Sequence, residues 1–192
     1  MAKLLPLVKA NNHSTWRNEF RKYDVIENQK VTERELKPEG EIKMAEVVRM
    51  LSQKTNGEAC IIADVGQHQM IAARYYQFKN PHSYIASGGL GTMGFAIPAS
   101  FGAKKGAPDR EVVAFIGDGC FQMTIQELGT IAQSGLGVKL IILNNNYLGM
   151  VRQWQQLFFD RRYSFTEMKN PNFVAIANGY NIKGKKVTER KD

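Results

Sequence analysis

The chain has 192 residues, 43% of them hydrophobic, a formal net charge of +8 and two cysteines, enough for one substantial core with a short extension. No apolar run approaches the roughly 20 residues of a membrane span, which excludes a membrane partner. The positive residues are scattered except near Lys183, Lys185, Lys186, Arg190 and Lys191, and no aromatic-interleaved basic strand accompanies them, which excludes a nucleic-acid surface.

In chain order, Met1 to Lys9 carries a short apolar patch without the long apolar stretch and small-residue cleavage site of a secretory signal, so a cytoplasmic protein is expected. Trp16 to Tyr23 predicts a short amphipathic helix, with Trp16 and Phe20 four apart. Val25 to Gly40 is polar and broken by Pro38 and Gly40, which predicts an extended linker. Glu41 to Lys54 has helical spacing, Ala59 to Val65 reads as a first strand, and Gln67 to Tyr76 as a helix entered through Gly66. The glycine-rich stretch Gly88 to Gly94 leads into a helix of small residues, Ala96 to Lys105, ended by Gly106 and Pro108. Val112 to Ile116 and Val138 to Leu143 are β-branched strand runs. Between them, Thr124-Ile125-Gln126-Glu127 reads as a capping box and Gly135 as a C-cap. Leu148 to Phe158 and Asn172 to Asn178 predict helices, and Ile182 to Val187 a last strand. Strands alternating with helices imply an α/β fold, a doubly wound parallel sheet with helices on both faces.

The two β-branched runs end on chemistry. Gly117-Asp118-Gly119 closes the first and Asn144-Asn145 the second, with residues 120–143 between, an interval that fits one βαβ crossover of roughly 30 residues. Asp and Asn oxygens at neighbouring strand ends suit Mg²⁺, a hard cation usually held together with a phosphate, and in open α/β sheets ligands bind at the carboxyl ends of the strands. Cys60 and Cys120 form no disulfide framework, and Cys120, with no His-Asn or CxxC context, reads as a small side chain rather than a catalytic thiol.

The GDG and NN words at this spacing resemble the thiamine diphosphate (ThDP) motif. Ser87 to Gly94 and Tyr147-Leu148-Gly149-Met150-Val151-Arg152-Gln153-Trp154-Gln155 are similar to the acetolactate synthase catalytic subunits. The resemblance runs from about Trp16 onward and is densest from Gly66 to Tyr163. It implies ThDP and Mg²⁺ as cofactors, with FAD in the full-length enzyme but not on this segment. Asp118 and Asn145 match the side-chain metal ligands and the Tyr147 carbonyl a third. Gln67, His68, Gly91, Gly117, Gly119 and Cys120 match cofactor contacts, with Met93 beneath the cofactor. Met93, Met150, Val151 and Trp154 match residues around the reacting centre, Trp154 on the side of the second 2-oxo acid. Ile71 and Arg74 depart from the aromatic residue and Gln common in the family.

The resemblance further implies decarboxylation of pyruvate and condensation of the two-carbon unit with a second 2-oxo acid, in branched-chain amino acid biosynthesis. Residues 1–40 match the end of a central domain and a linker. Residues 41–192 match the diphosphate-side domain, short of its C-terminal end. The Glu that activates ThDP belongs to a pyrimidine-binding domain, so the segment is expected to be inactive alone. That domain on another subunit, further copies of the chain in a homo-oligomer, and a regulatory subunit are the expected partners. Another ThDP enzyme, either pyruvate oxidase or a 2-oxo acid decarboxylase, is the alternative, as are a subunit of a split enzyme and a module without cofactor.

Overall fold

The computed structural model describes residues 3–192; Met1 and Ala2, at the start of the expected linker, lie outside the described residues. The chain divides into a unit ending at Pro38 and a unit over Glu39–Asp192.

The first unit is helical. A 3-10 turn at Leu5–Leu7 precedes α1 (Ser14–Glu27), in which the Trp16 and Phe20 rings meet edge to face at 4.8 Å, as their spacing predicts. The extended linker expected from Val25 does not form. The helix continues through a π-turn at Asn28–Thr32 into α2 (Glu33–Leu36) and stops before Pro38. Val25 to Leu36 holds no Gly or Pro, and its Glu, Lys, Arg and Gln lose little rotamer freedom in a helix.

The second unit is built on strands β1 (Cys60–Ala63), β2 (Tyr84–Ala86), β3 (Val112–Gly117) and β4 (Lys139–Leu143), all parallel and in the order β2-β1-β3-β4 among the described residues. The helices are α3 (Met44–Lys54), α4 (Gln67–Tyr75), α5 (Ala96–Gly106), α6 (Asp118–Met123), α7 (Glu127–Ser134), α8 (Gly149–Phe158) and α9 (Phe173–Gly179). This is the doubly wound α/β architecture that the alternation predicts. Pleating splits the buried strands by parity. Cys60, Ile62, Val112, Ala114 and Ile116 join Ala96, Ile97, Phe121, Leu128 and Ile131 from α5, α6 and α7 in one core. Ile61, Ala63, Val113 and Phe115, each fully buried, face the opposite layer, where α3 and α4 pack together. Each of the larger side chains among them contributes about 1.5–3 kcal/mol.

Because β2 and β3 flank β1, the chain reverses its winding between β1 and β3, the point where such sheets take ligands. The strand expected at Ile182–Val187 is absent. That segment runs beside α9, where a Cβ on Gly184 would meet Val174 and Ala177 at 3.4–3.5 Å. Gly135 caps α7 in the left-handed region (φ 64°), as expected. The capping box does not form: Thr124 Oγ1 donates instead to the Gly94 carbonyl at 2.8 Å, and the helix that starts at the β3 end is the separate α6. Near the C-terminus, Arg190 grips Glu46 through both carboxylate oxygens (2.8 and 2.9 Å) and donates to the Glu39, Gly40 and Glu41 carbonyls. No helix among the described residues is long and apolar enough to cross a membrane.

Candidate active site

A cleft of about 90 Å³ opens at the carboxyl ends of β1, β3 and β4. The Val65–His68 turn, the Gly117–Cys120 turn and the Leu143–Val151 segment line it, with Met93 and Met44 closing its sides. The cleft thus brings together Gln67, His68, Met93, Gly117, Asp118, Gly119, Cys120, Asn145, Tyr147, Met150 and Val151. Gly91 and Trp154 are not among its walls. Gly91 turns at φ 60° in an exposed loop; Trp154, 57% exposed, stands on the outer face of α8 with its ring 5.4 Å from that of Phe158.

Two buried strand-end carboxylates brace the cleft, Asp118 in its wall and Asp64 behind it. Asp118, 1% exposed, accepts from Asn146 N at 2.8 Å and Asn170 Nδ2 at 2.6 Å on Oδ2, and from Gly119 N at 3.1 Å on Oδ1. Asp64, fully buried after β1, accepts from Gly94 N and Ala96 N (3.0 and 2.9 Å) and so ties the start of α5 to β1. Asn145 Oδ1 accepts from Tyr147 N at 3.0 Å, folding the β4 end into a tight turn. Tyr147 pairs with Glu167 across an antiparallel bridge made through the Asn146 carbonyl and the Leu148 N–H, not through the Tyr147 carbonyl. The Arg152 guanidinium lies between the Tyr147 and Tyr163 rings, 4.1 and 4.4 Å from their centroids, and fixes α8 on this turn.

His68 is the test of what the cleft can hold. It is 6% exposed, and its Nε2 has no hydrogen-bond partner. Burial pushes its pKa down to about 4 against the pull of Asp64 and Asp118, so the ring is neutral at pH 7. A buried, unpaired imidazole nitrogen is costly unless a ligand completes it, and a phosphate oxygen is a suitable acceptor for a ring N–H. Glycines make room: a Cβ on Gly66 or Gly117 would stand 2.7 Å from His68 Cε1, and one on Gly149 would stand 3.1 Å from Asn145 Nδ2. The Cys120 thiol donates to the Val65 carbonyl at 3.1 Å, and burial, helped by Asp64, pushes its pKa up to about 12. Asp64, His68 and Cys120 present ligand atoms within 4.8 Å of one another, but a thiol held protonated is a poor metal ligand. The hard oxygens of Asp118, Asn145 and the Tyr147 backbone fit Mg²⁺ better.

Sequence reasoning missed Asp64, Met44 and Asn170. Asp64 had a readable signal, since it ends the apolar run Cys60-Ile61-Ile62-Ala63 as Asp118 ends its own. Met44 and Asn170 have none, because only the packing of α3 and the 166–170 segment brings them here.

Residues 64–192 match the family model for the thiamine pyrophosphate enzyme C-terminal TPP binding domain. The chain is 49% identical over 151 residues to the acetolactate synthase large subunit of Corynebacterium glutamicum, covering 76% of this chain and 24% of that protein. It is 46% identical over 147 residues to the isozyme 2 large subunit of Escherichia coli, covering 76% and 27%. Among solved structures, a ThDP-dependent 4-hydroxybenzoylformate decarboxylase from Rhodococcus jostii superposes with a TM-score of 0.72 at 26% identity, over 78% of this chain and 28% of that one. The chain spans about a quarter of the length of these relatives.

Proposed function

The chain belongs to the thiamine pyrophosphate enzymes, carrying their C-terminal TPP-binding domain, and on that premise we propose that it forms the diphosphate and Mg²⁺ side of an acetolactate synthase active site. The observation that carries the reading is the convergence of Asp118, Asn145, Tyr147 and the unpaired His68 Nε2 on one cleft. Identities of 46–49% to acetolactate synthase large subunits favour this chemistry over the decarboxylase alternative, whose structural relative is 26% identical.

In this reading Asp118 through Oδ1, Asn145 and the Tyr147 carbonyl would hold Mg²⁺, and His68 with Gln67 would donate to the diphosphate. When bound, ThDP supplies the electron sink for decarboxylation of pyruvate and transfer of the two-carbon unit to a second 2-oxo acid. The residues' own work is positioning. Neutral His68 donates a hydrogen bond without adding charge, and the Gln67 amide, bonded to Gln153 Oε1 at 2.9 Å, links the β1 turn to α8. Met93, Met150 and Val151 give the cleft an apolar side that excludes water. Trp154 stands apart from the cleft and would act only on a second substrate approaching over α8.

The Glu that activates the cofactor would come from a pyrimidine-binding domain of another subunit, since no glutamate lines the cleft among the described residues. The exposed apolar side chains of α8, Trp154, Leu157 and Phe158, would face that subunit. Calorimetry with Mg²⁺ and ThDP tests the reading: the chain binds the pair together, and Asp118→Ala abolishes binding. Unchanged affinity in that variant would remove the assignment.

A further inference from the structure

We propose that Asn170 is a positioning residue of this site, holding the Asp118 carboxylate so that Oδ1 is left for the metal; the proposal rests on the reading of Asp118 as the metal's carboxylate. Asn170 lies 52 residues from Asp118 in the chain, just before α9. Its Nδ2 lies 2.6 Å from Asp118 Oδ2, 2.9 Å from Asn144 Oδ1 and 3.0 Å from Asn146 Oδ1, so the two hydrogens of one amide are shared among three oxygens at the ends of β3 and β4, the Asp118 contact being the shortest. The ionised Asp118 carboxylate can only accept, so it is Nδ2 that faces it, and the Asn170 Oδ1 on the other side accepts from Gln122 Nε2 at 2.8 Å. Gln122 lies on α6, the helix that Asp118 begins. The network therefore closes on itself, from Gln122 to Asn170 to Asp118.

The consequence is at the carboxylate. A carboxylate oxygen accepts about two hydrogen bonds. Oδ2 has two, from Asn146 N and Asn170 Nδ2. Oδ1 has one, from the neighbouring Gly119 N–H. The occupied oxygen fixes the carboxylate plane, and the other keeps the capacity to bind a cation. A neutral donor is well suited here, because it orients a charged ligand without competing for the cation, as partners of metal ligands commonly do. The arm carrying Asn170 is fastened to the metal turn itself, because Met168 N donates to the Asn146 carbonyl and Leu148 N to the Thr166 carbonyl, both at 2.8 Å. The carboxylate, the β4 turn and the 166–170 arm are thus joined by hydrogen bonds.

The test is a titration of the full chain with Mn²⁺ in the presence of ThDP, read by electron paramagnetic resonance and accompanied by thermal melts. Asn170→Ala is expected to weaken Mn²⁺ about tenfold and to alter the line shape of the bound ion, because the carboxylate turns. Asn170→Leu keeps the size but lacks the donor and adds no charge beside the cation, and is expected to lose at least as much. A residue that merely supports the fold would lower the melting temperature and leave the spectrum of the bound ion unchanged. Parental affinity and line shape in either variant, with binding lost in Asp118→Ala, overturn the role of Asn170 alone. A parent chain that takes up no Mn²⁺ with ThDP, or an Asp118→Ala variant that binds normally, overturns the reading of the metal site and the proposal with it.

Discussion

The His68 ring stands so close to Gly117 that a Cβ at that position would lie 2.7 Å from its Cε1. The close approach joins the ends of β1 and β3, the two strands between which the sheet changes direction, through one buried side chain. Gly117→Ala should therefore cost about 1–3 kcal/mol by overpacking, read by urea denaturation. His68→Ala in the same chain should recover part of the loss, and additive effects of the two changes would show that the ring and the glycine do not meet.

The same burial makes stability depend on pH. An unfolded histidine takes up a proton near pH 6.5, whereas His68 in the folded chain does so only near pH 4. Between those values the unfolded state holds more protons, so stability falls as pH drops through the window and this contribution levels off below it. The gap corresponds to about 3 kcal/mol. Melting curves from pH 7 to pH 4 should show the parent losing more stability than His68→Gln, whose side chain does not titrate there.

Cys120 should resist alkylation. With its thiol held protonated to about pH 12 and buried, iodoacetamide at pH 8 should modify the folded chain at no measurable rate and label Cys120 only after denaturation. Mass spectrometry of peptides before and after urea checks this, and rapid labelling of the native chain would contradict it.

Carboligation should be absent from the chain by itself. At saturating ThDP, Mg²⁺ and pyruvate, acetolactate should not exceed the level without protein, because none of the groups lining the cleft can stand in for the activating glutamate. Addition of a pyrimidine-binding domain from a related enzyme is the arm expected to restore turnover.

Association should run through α8. Trp154 and Phe158, whose rings lie 5.4 Å apart on α8, are 57% and 66% exposed, and adjoining exposed apolar side chains are the material of an interaction surface. Trp154→Ser with Phe158→Ser should lower the apparent mass at high concentration in light scattering. No change, with the parent already monomeric, would place the interface elsewhere.

The sheet and much of the cleft were legible because their signals are local. Buried parallel strands are continuous apolar runs, and the GDG and NN words mark where two of them end. The short β2 was not legible, since Tyr84-Ile85-Ala86 is too brief to stand out from the polar sequence around it. The helix through Val25 to Leu36 was hidden because polarity reads as linker, although those side chains are good helix formers. Thr124 misled in another way: its hydroxyl had a tertiary partner, the Gly94 carbonyl, that no local pattern encodes. Asn170 and Met44 reach the site through long-range packing alone.

Arg190 has a consequence for how the second unit opens. By binding Glu46 and the carbonyls of residues 39–41, it ties the segment after α9 to the start of α3, across a separation of 144 residues. Neither segment can fray from the unit without breaking the same cluster of bonds. Local opening at one of them should therefore accompany opening at the other, and amide exchange in both should quicken together when Arg190 is removed.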